Sequence, residues 1–124
     1  MLRLANQGKP LRVVADQVCT PTFTVDVAAA AAGLVLTGRY GLYHLTNAGS
    51  CSWHEFAQTI FQLAGVRADL SPISSRDYGA AARRPVYSVL ATTAYEAVGL
   101  APLRPWQEAL AAYLHERQTG ERGA

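Results

Sequence analysis

The sequence predicts an α/β chain with more helix than strand and an incomplete sheet. Three observations carry this reading. Short β-prone runs alternate with stretches of helical periodicity along the chain. A complete capping box, Ser52-Trp53-His54-Glu55, opens one of the helices. The β-prone runs are too few and too short for a full doubly wound sheet. With 124 residues, half of them hydrophobic and only 16% charged, the chain is long enough for one domain with one modest core and far too apolar for a disordered polymer.

The elements follow in order. Residues 1–7 read as the last turns of a helix, stopped by Gly8 and Pro10. Leu11-Arg12-Val13-Val14 is a short strand, and residues 16–22, polar and containing Pro21, form a loop. Thr24 or Asp26 caps a helix over residues 25–36 that ends near Gly38. Gly41-Leu42-Tyr43-His44-Leu45-Thr46 alternates as a strand does, and Asn47-Ala48-Gly49-Ser50 is a turn. In the helix that Ser52 opens, Phe56, Ile60, Leu63 and Ala64 recur at helical spacing, and Gly65 closes it. Residues 68–73 are β-prone, but Pro72 puts them at an edge or limits the strand to residues 68–71. Residues 74–78 make one helical turn, and residues 80–90 are irregular around Arg84-Pro85. Thr92 or Thr93 caps a short helix to Val98. Pro105 suits the first turn of the last helix, on which Trp106, Ala109, Leu110, Tyr113 and Leu114 share a face. Residues 119–124 are a polar tail expected to fray.

Composition also excludes function classes. A net charge of +2, with basic residues scattered apart from the doublet Arg83-Arg84, does not make a nucleic-acid surface. Cys19 and Cys51 fit no metal-ligand spacing and read as two reduced, inert thiols of a cytoplasmic protein. No apolar run approaches the roughly 20 residues of a membrane span. The opening residues Met1-Leu2-Arg3-Leu4-Ala5 show no basic leader region or cleavage site.

Missing motifs weigh more. No glycine-rich loop joins a strand to a helix, so there is no cradle for a dinucleotide pyrophosphate. A Tyr-x-x-x-Lys pair, which a reductase of this general type uses as its acid, is ruled out because Lys9 is the only lysine. A Gly-x-Ser-x-Gly elbow for a serine nucleophile is absent too. The chain is therefore expected to carry no catalytic residue, no metal site and no cofactor site of its own.

Four blocks resemble one family. Asp16-Gln17-Val18-Cys19-Thr20-Pro21-Thr22 is similar to the Asp-Gln-x-Gly-x-Pro-Thr stretch of the dTDP-4-dehydrorhamnose reductases, which are extended short-chain dehydrogenases. Gly41-Leu42-Tyr43-His44-Leu45-Thr46-Asn47, followed by Ser52-Trp53-His54-Glu55-Phe56-Ala57, resembles that family's Gly-x-Tyr-His-x-x-Asn and Ser-Trp-x-Glu-Phe-Ala block. Arg84-Pro85-Val86-Tyr87-Ser88-Val89-Leu90 resembles its Arg-Pro-x-x-Ser-x-Leu signature, and Trp106-Gln107-Glu108-Ala109-Leu110 its closing Trp-x-x-Ala-Leu helix. The blocks run in family order from Met1 to about Leu114. Two positions depart from the pattern: Cys19 stands where the family has Gly, and Ala91 where it has an Asp cap.

The resemblance implies the C-terminal, substrate-binding part of such a reductase, with a nucleotide-sugar domain over residues 1–118. The Rossmann half that binds NADPH and carries the catalytic Tyr and Lys would be a separate partner. The reaction implied is NADPH-dependent reduction of dTDP-4-dehydro-L-rhamnose to dTDP-L-rhamnose; a non-catalytic binding or regulatory module of the same fold is the alternative. An open sheet edge makes self-association an expected hazard.

Five residues stand out for the dTDP-sugar. Arg84 can fork onto a diphosphate, or it is a surface arginine paired with Asp77 or Glu96. Gln17, Thr20 and Thr22 can reach a sugar or phosphate, or they simply turn a strand into a helix. Trp53 can stack on a ring, or it is a core or staple aromatic. Ser52 and Glu55 read as caps and His44 as a packed, hydrogen-bonded histidine; neither reading involves chemistry.

Overall fold

The computed structural model describes residues 1–121. Its elements are α1 (Leu2–Ala5), β1 (Leu11–Val14), β2 (Val18–Cys19), α2 (Thr24–Leu36), β3 (Cys51–Ser52), α3 (Trp53–Ala64), β4 (Leu70–Ile73), α4 (Ser75–Tyr78), α5 (Thr93–Glu96) and α6 (Trp106–Glu121). The α/β reading holds. The strands form two separate two-stranded sheets, β1 with β4 and β2 with β3. The chain divides into two compact units. The first holds Met1–Cys19 and Cys51–Ser88, and the second holds Thr20–Ser50 and the chain from Val89 onward.

In the first unit β1 and β4 run parallel, with Val13 opposite Pro72 and Val14 opposite Ile73. A two-stranded sheet has only edges, so Pro72 sits within β4 without breaking a ladder on both sides. Leu11, Val13, Val14 and Ile73 are buried, as are Ala57, Ile60 and Phe61 of α3, which packs on both β1 and β4. That face of α3 differs from the expected one. Leu63 is 45% exposed, and Phe61, one position along from Ile60, is buried in its place. The start of α3 is as read: Ser52 Oγ accepts from the Glu55 N–H (3.1 Å) while Glu55 Oε2 accepts from the Ser52 N–H (2.7 Å). Gly65 closes the helix in the left-handed region at φ 65°, which glycine adopts without a Cβ clash. Residues 16–22, expected as loop throughout, contain β2, which lies antiparallel to β3 with Cys19 opposite Cys51. On its other side Val18 exchanges backbone bonds with Val86 and Ser88.

The second unit is built on α2, α5 and α6. Trp106, Ala109, Leu110 and Leu114 are buried along one face of α6, with Tyr95 and Ala30 also inside. Tyr113 meets Phe23 edge-on instead of entering the core. The strand expected over residues 41–46 is not formed. Among the described residues no strand pairs with it, and Tyr40 and Leu42 are 97% and 82% exposed. Side chains anchor this segment instead: His44 Nδ1 lies 3.2 Å from the Ala91 carbonyl oxygen, and Asn47 is buried.

Neither Thr24 nor Asp26 caps α2. Phe23 holds the cap position, and its N–H goes to Asn47 Oδ1 at 2.8 Å. Thr92 holds the cap position of α5 without a side-chain bond to the helix backbone, and its hydroxyl donates to Glu96 at 2.6 Å. The polar stretch expected as a tail from Thr119 is helical as far as Glu121, and residues 122–124 lie outside the described residues.

Candidate functional site

The first unit contains a cavity of about 950 Å³ whose lining includes Arg12, Gln17, Trp53, Tyr78, Arg84 and Ser88. Three of the five residues singled out in the sequence, Gln17, Trp53 and Arg84, thus meet around one space. Each arrives by a different route. Gln17 follows β1, Trp53 is the first residue of α3 behind its Ser52 cap, and Arg84 lies in the irregular segment after α4.

Gln17 is held by a chain of hydrogen bonds. The Ser75 hydroxyl and the Ser75 N–H both donate to the Asp16 carboxylate. Since its one hydrogen goes to Asp16, Ser75 Oγ can only accept from Gln17, and Gln17 Nε2 donates to it at 2.8 Å. This fixes which way the amide faces and leaves Gln17 Oε1 without a protein partner among the described residues. The same Ser75 bonds, the hydroxyl's first and the backbone's second, hold the Asp16 carboxyl below the usual carboxylate range.

Trp53 is not a core residue. It is 42% exposed and meets Phe56 edge-on at 6.3 Å, so the indole is braced from one side and open elsewhere. Arg84 forms no ion pair with either expected carboxylate. Asp77 accepts from the Ser74 hydroxyl at 2.7 Å, and Glu96 accepts from Thr92. Arg83, its neighbour, does not line the cavity. No Asp or Glu is among the lining residues, whereas two guanidinium groups, Arg12 and Arg84, are. Charge and shape therefore suit an anion that carries a ring.

Arg12 and Tyr78 escaped the sequence reading. Arg12 is the outward residue of a strand with the burial pattern buried–exposed–buried–buried, and that alternation was the one available signal. Tyr78 ends a single helical turn, where nothing in the sequence marks it.

Thr20 and Thr22 belong to the second unit. The Thr20 hydroxyl donates to the Gly49 carbonyl at 3.1 Å, and the Thr22 hydroxyl donates to the Thr20 carbonyl at 3.1 Å. Both thus tie down their own loop, and Thr20 borders a smaller pocket of about 280 Å³ with Asn47, Tyr95 and Glu96. The polar centre of this unit is Asn47, only 1% exposed. Its amide donates to Asp26 Oδ2 (2.7 Å) and to the Arg104 carbonyl (3.0 Å). The Arg104 guanidinium meets both oxygens of Asp26, at 2.9 and 2.7 Å. The bond from Arg104 is the main cause that holds the Asp26 carboxyl below its usual range.

The described residues do not fit a dinucleotide. The three strand-to-helix junctions, at Thr20-Pro21-Thr22-Phe23, Cys51-Ser52-Trp53 and Ile73-Ser74-Ser75, hold no glycine at which a pyrophosphate could approach the backbone. Among the described residues no group of three or more His, Cys, Asp or Glu could hold a metal ion, and no helix is long and apolar enough to cross a membrane.

A cavity of this make-up suits a ligand-binding domain for an anionic small molecule. The chain belongs to the RmlD substrate binding domain family, whose model matches residues 1–119. It is 43% identical over 119 residues to the spore coat polysaccharide biosynthesis protein SpsK of Bacillus subtilis, covering 96% of this chain and 41% of that one. It is 40% identical to the dTDP-4-dehydrorhamnose reductase of Streptomyces griseus, covering 89% and 38%. The solved dTDP-4-dehydrorhamnose reductase from Bacillus anthracis, in complex with NADP, superposes with a TM-score of 0.89 at 37% identity over 93% of this chain and 41% of that one. The Clostridium acetobutylicum counterpart superposes at 0.90 with 37% identity, covering 94% and 42%. The chain thus spans about two-fifths of the length of these relatives.

Proposed function

We propose that this chain is the sugar-nucleotide-binding portion of a dTDP-4-dehydrorhamnose reductase. In that setting it holds dTDP-4-dehydro-L-rhamnose while a separate Rossmann portion supplies NADPH and the proton donor for reduction to dTDP-L-rhamnose. The observation that carries the reading is the cavity of the first unit, which offers two arginines and no carboxylate beside an amide and an open indole. Arg84 forks onto the diphosphate, Gln17 accepts from a hydroxyl through Oε1, and Trp53 packs against a ring of the ligand. Thr20 and Thr22 have committed their hydroxyl hydrogens to backbone carbonyls, so a contact from either to the ligand is made through an oxygen lone pair. The relatives' activity favours a cytoplasmic setting.

Calorimetric titration of dTDP into the purified chain tests the reading. Saturable binding that weakens in Arg84→Ala supports it, and a folded chain that takes up no dTDP overturns it. With NADPH and dTDP-4-dehydrorhamnose together, the chain alone is expected to leave the nicotinamide absorbance unchanged.

A further inference from the structure

The two cysteines, more than thirty positions apart in sequence, are direct partners across a ladder. Cys19 of β2 stands opposite Cys51 of β3 in antiparallel register, and both are free thiols. Which kind of pair they form follows from the neighbouring residue. Val18 donates its N–H to the Val86 carbonyl (2.8 Å), and its carbonyl accepts from the Ser88 N–H (2.9 Å). Both backbone groups of Val18 therefore face away from β3, and those of Cys19, one residue on, face toward it. Cys19 and Cys51 are thus a hydrogen-bonded pair, for which the Cα atoms lie about 5.5 Å apart, within the span a disulfide bridges. Directly opposed residues project to the same face of a ladder, with Cβ atoms about 5.5 Å apart in a hydrogen-bonded pair; a disulfide, at about 3.5–4.5 Å, needs about 1–2 Å less. A ladder of two residues can yield that much.

We infer that Cys19 and Cys51 form a dithiol site that closes to an intramolecular cross-strand disulfide when a low-molecular-weight disulfide is present. The Cys19 thiol, the more exposed of the two, loses its proton to solvent, and its sulfur attacks the external disulfide R–S–S–R. A Cys19–S–S–R bond forms and one RS⁻ leaves. The Cys51 sulfur then attacks the Cys19 sulfur, the Cys19–S–R bond breaks, and the departing RS⁻ takes up the Cys51 proton and leaves as RSH. The two protein thiols are oxidised by two electrons, and one external disulfide is reduced to two thiols. Cys51, though buried, needs no access to solvent for its step.

Burial pushes the Cys51 thiol up to about 12, with the adjacent Cys19 a further cause. The first capture at Cys19 removes that neighbouring thiolate. The same burial makes the exchange slow. The bond would fasten the strand after Gln17 to the strand that leads into Trp53. This inference does not depend on what the cavity binds.

The test exposes the purified chain to oxidised glutathione, unfolds it, alkylates the remaining thiols with iodoacetamide and weighs it intact. Loss of both alkylatable thiols in a single-chain species, with the Cys19 and Cys51 peptides joined after digestion and released by dithiothreitol, is the expected result. Two alkylated thiols, a glutathione adduct that stays at Cys19, or chain-to-chain dimers would each overturn it. Cys51→Ala is expected to stop at the Cys19 glutathione adduct. The wild-type measurement stands whether or not that variant folds.

Discussion

The two units use an arginine and its polar surroundings in opposite ways. In the second, Arg104, Asp26 and Asn47 satisfy one another around a buried amide that also takes the Phe23 N–H, and the arginine is locked by two bonds to one carboxylate. In the first, Arg12 and Arg84 border a cavity that has no carboxylate in its lining. A bidentate arginine inside a closed network contributes to folding. An arginine left beside an open space, with its neighbouring acid bonded elsewhere, is available to a ligand. The contrast predicts that equivalent truncations fail in different assays.

The largest effect is expected at Asn47. Asn47→Ala removes three hydrogen bonds from a buried position and leaves the Phe23 N–H without that partner, while the Arg104 carbonyl keeps the Ala48 N–H. An unpaired buried group costs about 1–3 kcal/mol and each lost bond about 1 kcal/mol, so a loss of roughly 3 kcal/mol in unfolding free energy is expected by urea titration. A variant as stable as the wild type would mean that the network is decorative and the contrast false.

Arg84→Ala is the mirror case. Charge-assisted bonds of a forked guanidinium are worth about 1.5–3 kcal/mol, which corresponds to roughly tenfold to a hundredfold in dTDP affinity, with little change in melting temperature. Arg84→Lys recovers part of it, since it keeps the charge and loses the fork. Arg83→Ala, off the cavity wall, is the control and should bind as the wild type does. An Arg84→Ala variant that melts early and, once folded, binds dTDP normally would put Arg84 in the same structural class as Arg104.

A smaller effect belongs to the helix that carries Trp53. Ser52→Ala removes one half of the capping box and should cost about 1 kcal/mol in stability. It should loosen dTDP binding only slightly, because the indole loses its fixed entry angle and none of its surface. Unchanged stability on chemical denaturation would mean that the Glu55 half suffices alone.

What was legible in the sequence divides along the same line as the chemistry. The capping box, the Gly65 stop, β1 and the buried face of α6 are local: spacing and backbone preference decide them, and the structure follows. Gln17, Trp53 and Arg84 could be chosen as polar or aromatic residues on loops and caps, and they meet at one cavity. Three kinds of feature could not be read. A strand exists only with a partner, so residues 41–46 kept strand-like alternation and formed none, while Val18-Cys19, unremarkable locally, found two neighbours. A cap is a competition, and Asp26 was taken by Arg104, 78 residues away. Arg12 became a cavity residue through the fold around it, and nothing in a four-residue hydrophobic strand foretells that.

The smallest expected effect is a pH dependence, and it tests the second unit without disturbing the first. The Asp26 carboxyl is held low chiefly by the bond from Arg104 and further by Asn47. A carboxyl lowered on folding binds its proton more weakly in the native state than in the unfolded chain. Its contribution is therefore present above the unfolded value, near 3.8, and is lost as pH falls through the lower folded value. Asp16 and Glu55, both also held low in the first unit, titrate in the same direction, so acid destabilisation alone would not identify Asp26. The difference between variants does. Asp26→Asn keeps the shape and removes the titration, so its urea midpoint should fall less between about pH 6 and about pH 3 than the wild type's, though it starts lower at neutral pH. Asp16→Asn should flatten the same acid limb and, unlike Asp26→Asn, should also weaken dTDP binding, because the amide keeps one acceptor oxygen and no charge and so holds Ser75 less firmly toward Gln17. If both variants kept the full wild-type acid slope, neither carboxylate would be stabilised by the bonds assigned to it. If Asp26→Asn alone weakened dTDP binding, the separation between a folding arginine and a binding arginine would fail.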